Sequence, residues 1–231
     1  MAKKQQFAVI GLGTFGSNVA IELAHHGAQV LAIDTDEERI NDISPHVAQA
    51  VIADATEEKA LRDIGVMDCD VAIIAIGENM ETSIMITLLL KEMGVKNIIV
   101  KSISALHSRI AAKIGADKVI FPEFEMAKKL AENLVSPNIL EEIELSPEYN
   151  IIEMVTPKSF WGKSIRESGI RANFKVSVIA LKRFSPVITE EGESDIKEEI
   201  NIVPEAEDEI KENDILLLVG KETDLQKLKS L

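Results

Sequence analysis

Phe7-Ala8-Val9-Ile10-Gly11-Leu12-Gly13-Thr14-Phe15-Gly16 runs from an unbroken apolar stretch into a turn spelled G-x-G-x-x-G, and an amphipathic stretch follows over residues 15–24 before Gly27 stops it. The spacing predicts strand, tight turn and helix in that order. Such a turn needs glycine where the backbone bends sharply and where another backbone or a ligand comes close. The helix that opens from it presents unpaired N–H groups to an anion, so the context favours a dinucleotide-type phosphate turn over a turn that merely packs tightly.

Working outward, the same unit recurs. Apolar runs at 30–33, 50–52, 71–76, 98–100 and 119–121 alternate with helical patterns at 37–43, 56–64, 80–93, 105–114 and 124–134, with Gly65, Gly94 and Gly115 placed to end helices. Continuous apolar strands between helices mark a parallel sheet covered on both faces. The expected fold is α/β: a doubly wound, Rossmann-like sheet of six strands, followed by a smaller α+β domain.

Asp34 ends the second strand about 20 residues beyond the glycines, where an acid accepts hydrogen bonds from ribose hydroxyls and repels a 2′-phosphate. That favours NAD, ATP or ADP over NADP. Asp36 can assist or can cap the helix at Glu37, and capping is its expected role. The third strand runs into Ala53-Asp54-Ala55-Thr56; Thr56 reads as an N-cap, leaving Asp54 to face an adenine. Ile76 and Gly77 close the fourth strand as an apolar wall and a point of close backbone approach.

The chain has 231 residues, room for two domains, expected at 1–135 and 136–231. No apolar run is long enough to span a bilayer, and the basic start Met1-Ala2-Lys3-Lys4 passes too directly into Phe7 to read as a signal peptide, so a cytoplasmic protein is expected. Lys and Arg number 25 against 39 Asp and Glu, a formal charge of −14 that makes nucleic acid an unfavoured partner. Cys69, the one cysteine, rules out an internal disulfide framework; it and the four histidines have no partners at metal-ligand spacing.

Beyond Pro137 short strands are expected at 151–155, 176–181, 200–203 and 215–219, with one helix near 163–168 and a part-helical linker over 133–143. Twelve acids against Lys197 and Lys211 fall between Glu190 and Asp214. Such a run reads as a solvated, mobile hairpin or loop, an insertion of unknown use.

Taken together, Gly11–Gly16, Asp34, Ala53-Asp54-Ala55-Thr56, Ile76-Gly77 and Gly115-Ala116-Asp117 resemble the regulator-of-potassium-conductance (RCK) family, and nearly the whole chain is similar to Trk/Ktr-type potassium uptake regulators. The resemblance implies a cytoplasmic subunit, peripheral to the membrane, that forms dimers and an octameric ring beneath a potassium-translocating partner and binds ATP, ADP or NAD(H). It implies phosphate contacts at Gly11, Gly13, Thr14 and Phe15, ribose contacts at Asp34, base contacts at Asp54, Ala55 and Thr56, and a basic Lys101 near the phosphates. Thr14 stands where Ktr-type members often carry an arginine that reaches a terminal phosphate, which leaves the choice among these nucleotides open. Glu123 matches an acid that can hold a divalent cation beside the phosphates, or simply start a helix. In the second domain Trp161–Arg166, Ile170–Asn173 and Val176–Ala180 resemble the RCK C-domain, which in Ktr-type relatives can bind cyclic di-AMP between two copies; the resemblance implies Arg171 near its phosphates and Ile165 and Ile170 along the apolar part of that cleft, against the plainer reading of a surface arginine over a packed core.

An NAD-dependent dehydrogenase uses the same turn and the same Asp34. Hydride transfer also needs a positioned acid or base in the second domain. Past residue 137 the chain has no His, no Cys and one tyrosine, Tyr149, which favours a sensor over an enzyme.

Overall fold

The computed structural model describes residues 5–77, 79–188 and 194–229. The chain divides into two compact units, residues 1–126 and 127–231.

Strand β1 (Gln6–Ile10) leads through the glycine turn to α1 (Thr14–His25). There follow β2 (Gln29–Asp34), α2 (Glu37–Ile43), β3 (Gln49–Ile52), α3 (Glu58–Asp63), β4 (Val71–Ile74), α4 (Met80–Glu92), β5 (Ile98–Lys101), α5 (Ala105–Ile114), β6 (Lys118–Ile120) and α6 (Pro122–Val135). All the pairings are parallel, in the order β3-β2-β1-β4-β5-β6.

Alternate residues of each central strand serve opposite faces, as a period of two requires. Ala8, Ile10, Leu31, Ile33 and Ile74 pack with Leu61 of α3, Ile86 and Leu90 of α4 and Ala111 of α5. Val9, Val30, Ala32 and Ile73 pack with Ala20 of α1 and Ile40 and Ile43 of α2. This is the doubly wound sheet expected from the sequence. Cys69 is buried in the first of these cores, which pushes its thiol pKa up.

His107 in α5 is fully buried, where the sequence left it merely isolated. Its Nδ1 accepts weakly from Ile103 N–H at 3.4 Å, and its Nε2 meets no partner among the described residues. Burial pushes its pKa down, because the imidazolium would lose its water. The unfolded chain therefore takes up a proton that the folded chain refuses. Stability is full above about pH 6.5 and falls, by at most about 1.4 kcal/mol per pH unit, as pH drops below that value. Urea unfolding between pH 8 and pH 5 is expected to show this slope, and His107→Gln to flatten it. A wild-type midpoint that stays constant over that range would contradict the assignment.

The second unit is built on an antiparallel sheet, ordered β11-β10-β13-β8-β7. Its strands are β7 (Ile139–Ser146), β8 (Tyr149–Val155), β10 (Ser177–Ile188), β11 (Ser194–Ile202) and β13 (Ile215–Lys221); β9 (Lys163–Ser164) and β12 (Glu209–Ile210) form a separate two-residue pairing. Helices α7 (Ile165–Ser168), α8 (Ile170–Phe174) and α9 (Glu222–Lys229) complete it. Its core gathers Ile152, Met154, Phe160, Ile170, Leu216 and Leu225.

One expectation changes here: residues 139–143, expected as linker, belong to strand β7. The acidic run, expected as a solvated hairpin or loop, does contain a hairpin, in which β11 pairs with β10 from Ile188↔Ser194 to Ala180↔Ile202 and residues 196–202 are exposed. Residues 190–193 of that run lie outside the described residues. Asp214, almost fully buried, accepts from Arg183 Nε at 2.8 Å and Nη2 at 2.7 Å and from the Lys211 N–H at 2.7 Å, pinning β10 to the turn before β13.

Candidate nucleotide-binding cleft

Strand order reverses between β1 and β4, so the connections from these two strands leave in opposite directions and a crevice opens at their carboxyl ends. A cavity of about 500 Å³ occupies it. The glycine turn forms its floor. Gly11 has φ +91°, and a Cβ there would press on Ile76 and on the backbone of Ala75 at 3.0–3.2 Å. At Gly16 a Cβ would run into the carbonyl oxygen of Gly11, so α1 can approach the turn only because this residue is glycine. Gly13 differs: a Cβ there meets nothing within 4 Å, and its φ of −66° suits any residue. It is the N-cap of α1 and offers no side chain to the helix's first N–H groups, which remain for an anion.

On the β2–β3 side, Asp34 is buried and held from two directions. Its Oδ2 accepts from Leu12 N–H at 2.6 Å and its Oδ1 from Asp36 N–H at 2.9 Å. The carboxylate thus braces the glycine turn while lining the cleft. Asp36 is the N-cap of α2, accepting from Glu38 and Arg39 N–H, and does not line the cavity. Asp54 and Ala55 do. Asp54 Oδ1 accepts from the Thr56 hydroxyl at 2.7 Å and from its N–H at 2.9 Å, contacts that lower its pKa. This corrects the reading of Thr56 as an N-cap: the N-cap position of α3 is Glu57, whose side chain makes no cap hydrogen bond, and Thr56 instead closes a local turn with Asp54.

On the far side Lys101 is buried at the end of β5. Its Nζ lies 2.7 Å from Glu123 Oε1 and 5.5 Å from the centroid of the Phe15 ring. A Cβ on Gly77 would come within 3.4 Å of that Nζ. The hydrogen bond from Lys101 holds the Glu123 carboxyl below the usual carboxylate range. Glu123 opens α6, so a lysine in the cleft is tied to the first turn of that helix.

The cavity therefore brings together Gly11, Gly13, Thr14, Phe15, Asp34, Asp54, Ala55, Ile76, Gly77, Lys101 and Glu123. Gly16 packs the turn rather than facing the space. The sequence reading missed Arg39 and Thr82, which also line it. Arg39 follows Asp34 by five residues in a helix that looks solvated, and only that spacing marks it. In the second unit Ile170 belongs to the core at 1% exposure, Ile165 is half-buried and Arg171 is exposed, so in the single chain Ile165 and Arg171 alone present surface to a ligand. Among the described residues no group of three or more His, Cys, Asp or Glu is arranged to hold a metal.

Residues 7–122 match the TrkA-N domain and residues 151–231 the TrkA-C domain. The chain belongs to the TrkA family. This TrkA-family chain is 38% identical over 224 residues to Ktr system potassium uptake protein C of Bacillus subtilis (strain 168), covering 97% of the one and 96% of the other. It is 34% identical over 228 residues to Ktr system potassium uptake protein A of Vibrio alginolyticus, covering 98% of each. Among solved structures it superimposes on the GsuK channel bound to NAD with a TM-score of 0.54 at 21% identity, over 100% of this chain and 38% of that one. It also superimposes on GsuK bound to ADP, with a TM-score of 0.50 at 25% identity over 56% of this chain and 34% of that one. The family and the RCK fold are thus as the sequence implied. No helix among the described residues is long and apolar enough to cross a membrane.

Proposed function

We propose that this chain is a cytoplasmic, nucleotide-sensing regulatory subunit of a potassium uptake system, and that it gates a membrane potassium-translocating partner. The observation that carries the reading is the cleft. It has a glycine turn with unspent N–H groups at its centre, a buried carboxylate at one end and a buried lysine at the other. Asp34 and Lys101 end strands three positions apart in the sheet, roughly 14 Å at ordinary strand spacing. That span suits an extended ligand with ribose at Asp34, phosphates over Gly13 and the terminal phosphate or second nucleoside toward Lys101.

Relatives named as Ktr potassium uptake proteins supply the physiological setting, and NAD- and ADP-bound GsuK supports an adenine nucleotide as ligand. In this reading the nucleotide is a signal rather than a reactant. A divalent cation at Glu123 would take its remaining ligands from phosphate oxygens and water, since one carboxylate cannot fill a hard-cation shell. Dimers, and rings of dimers, supply the interfaces through which a ligand-driven shift reaches the partner. Cyclic di-AMP at Ile165 and Arg171 is a second effector reading for the TrkA-C domain.

The test is potassium flux into vesicles containing the cognate membrane subunit, with this protein added across titrations of ATP, ADP, NAD and NADH. Flux is expected to respond to at least one nucleotide, because gating requires a ligand that binds one state more tightly than the other. Flux indifferent to all four would overturn the proposal.

A further inference from the structure

Arg39 is the cation that the nucleotide reading has not used. It is the third residue of α2, its side chain is half-exposed, and it lines the Asp34 end of the cleft. Its Nη1 lies 3.5 Å from Asp34 Oδ2 and its Nε 3.5 Å from Asp36 Oδ2. Both distances exceed a good N–H···O bond, so the guanidinium is held in place by charge while its donors and its flat face are not committed to those carboxylates. Asp34 itself is anchored by two N–H groups, that of Leu12 in the glycine turn and that of Asp36 at the start of α2.

Lys101, the other basic group of the cleft, is tied to Glu123 at the opposite end. Phosphates drawn to the glycine turn and Lys101 leave the base and ribose on the Arg39 side. There Ala53 and Ala55, on either side of the Asp54 carboxylate, give a small apolar surface suited to one face of a purine.

We propose that Arg39 covers the base-ribose half of a bound adenine nucleotide, its guanidinium plane stacked on the purine. This rests on the adenine-nucleotide reading above and adds the residue that would grip the part shared by AMP, ADP, ATP and NAD. Planarity is the property that matters: a guanidinium stacks on an aromatic face, whereas an ammonium is a strongly hydrated point charge. An alternative chemistry for an arginine in this place is a 2′-phosphate. Asp34 and Asp36 oppose it, since the three side chains together carry one net negative charge that repels such a group.

Calorimetric titration of wild type, Arg39→Ala and Arg39→Lys with AMP, ADP, NAD and NADP, all at one salt concentration, tests this. Arg39→Ala is expected to weaken AMP, ADP and NAD by a similar factor of about ten, and Arg39→Lys to recover less than half of that loss on a logarithmic scale. The stacking proposal is overturned if AMP binds Arg39→Ala as it binds wild type, if the loss grows with the number of phosphates, or if Arg39→Lys matches wild type. It is equally overturned if wild type prefers NADP to NAD and Arg39→Ala loses that preference. Wild type that binds none of the four overturns the nucleotide reading itself, a result distinct from a binding wild type with an indifferent variant.

Discussion

Asp34→Ala is expected to lose stability and nucleotide together. The stability loss arises because Leu12 is almost fully buried and its N–H donates to Asp34 at 2.6 Å; without the carboxylate that donor has no partner. An orphaned buried N–H costs about 1–3 kcal/mol, which for a chain of this size lowers the melting midpoint by roughly 4–8 °C if the cost is near 2 kcal/mol. The affinity loss arises from the missing charge-assisted bond to a ribose hydroxyl, about 1.5–3 kcal/mol or roughly 10- to 150-fold. Asp34→Asn separates the two: it keeps an acceptor for the turn but removes the charge, so it should melt closer to wild type while still binding weakly. Thermal melts and calorimetry with ATP, ADP and NADH read both quantities. A variant that binds all three as wild type does would move the site away from Asp34. A variant that melts like wild type would mean that the turn does not depend on that hydrogen bond.

Two glycines of the same turn are expected to fail in opposite ways. Gly16→Ala places its Cβ against the Gly11 carbonyl oxygen, and backbone cannot yield as a flexible side chain does. The expected cost is about 3 kcal/mol, the upper part of the usual overpacking range, seen as a lowered midpoint with or without ligand. Gly13→Val adds its side chain to open space with an ordinary φ, and loses at most about 1 kcal/mol as a poorer N-cap. It fills the space through which phosphates reach the α1 N–H groups. Wild type at a hundred times the dissociation constant gains about 2.7 kcal/mol from ligand; Gly13→Val should show almost none of that gain, and its potassium flux should no longer follow nucleotide. A Gly13→Val protein that is stabilised by ADP as fully as wild type would show that phosphates do not lie over Gly13. A Gly16→Ala protein with an unchanged midpoint would refute the steric account of the turn.

The first unit was legible because its evidence is local. Apolar runs such as Val30–Ile33 and Val71–Ile74 sit between helix starts and glycine stops, and a parallel sheet buries such runs on both faces. The cleft followed from the same pattern, since a strand that ends in Asp34 and a turn spelled by Gly11, Gly13 and Gly16 must meet at one end of the sheet. The second unit was less legible. In β7, Ile139-Leu140-Glu141-Glu142-Ile143 mixes acids with apolar residues and follows a helix directly, so it reads as linker until β8 pairs with it. Glu198 and Glu199 of β11 are exposed, as a charge-rich stretch suggests; that they stand on an edge strand paired with β10 is a contact across the hairpin that no single stretch announces.

The sequence by itself determined the doubly wound sheet, the glycine turn, the position of Asp34 and the capping role of Asp36, because each follows from backbone geometry within a few residues. Only the tertiary structure decided that Lys101 is bound to Glu123, that Arg39 reaches the cleft, that Thr56 serves Asp54, and that His107, Ile170 and Cys69 are buried. Burial and pairing between residues distant in the chain depend on which strand lies beside which, and that order is fixed by the packing of the whole sheet.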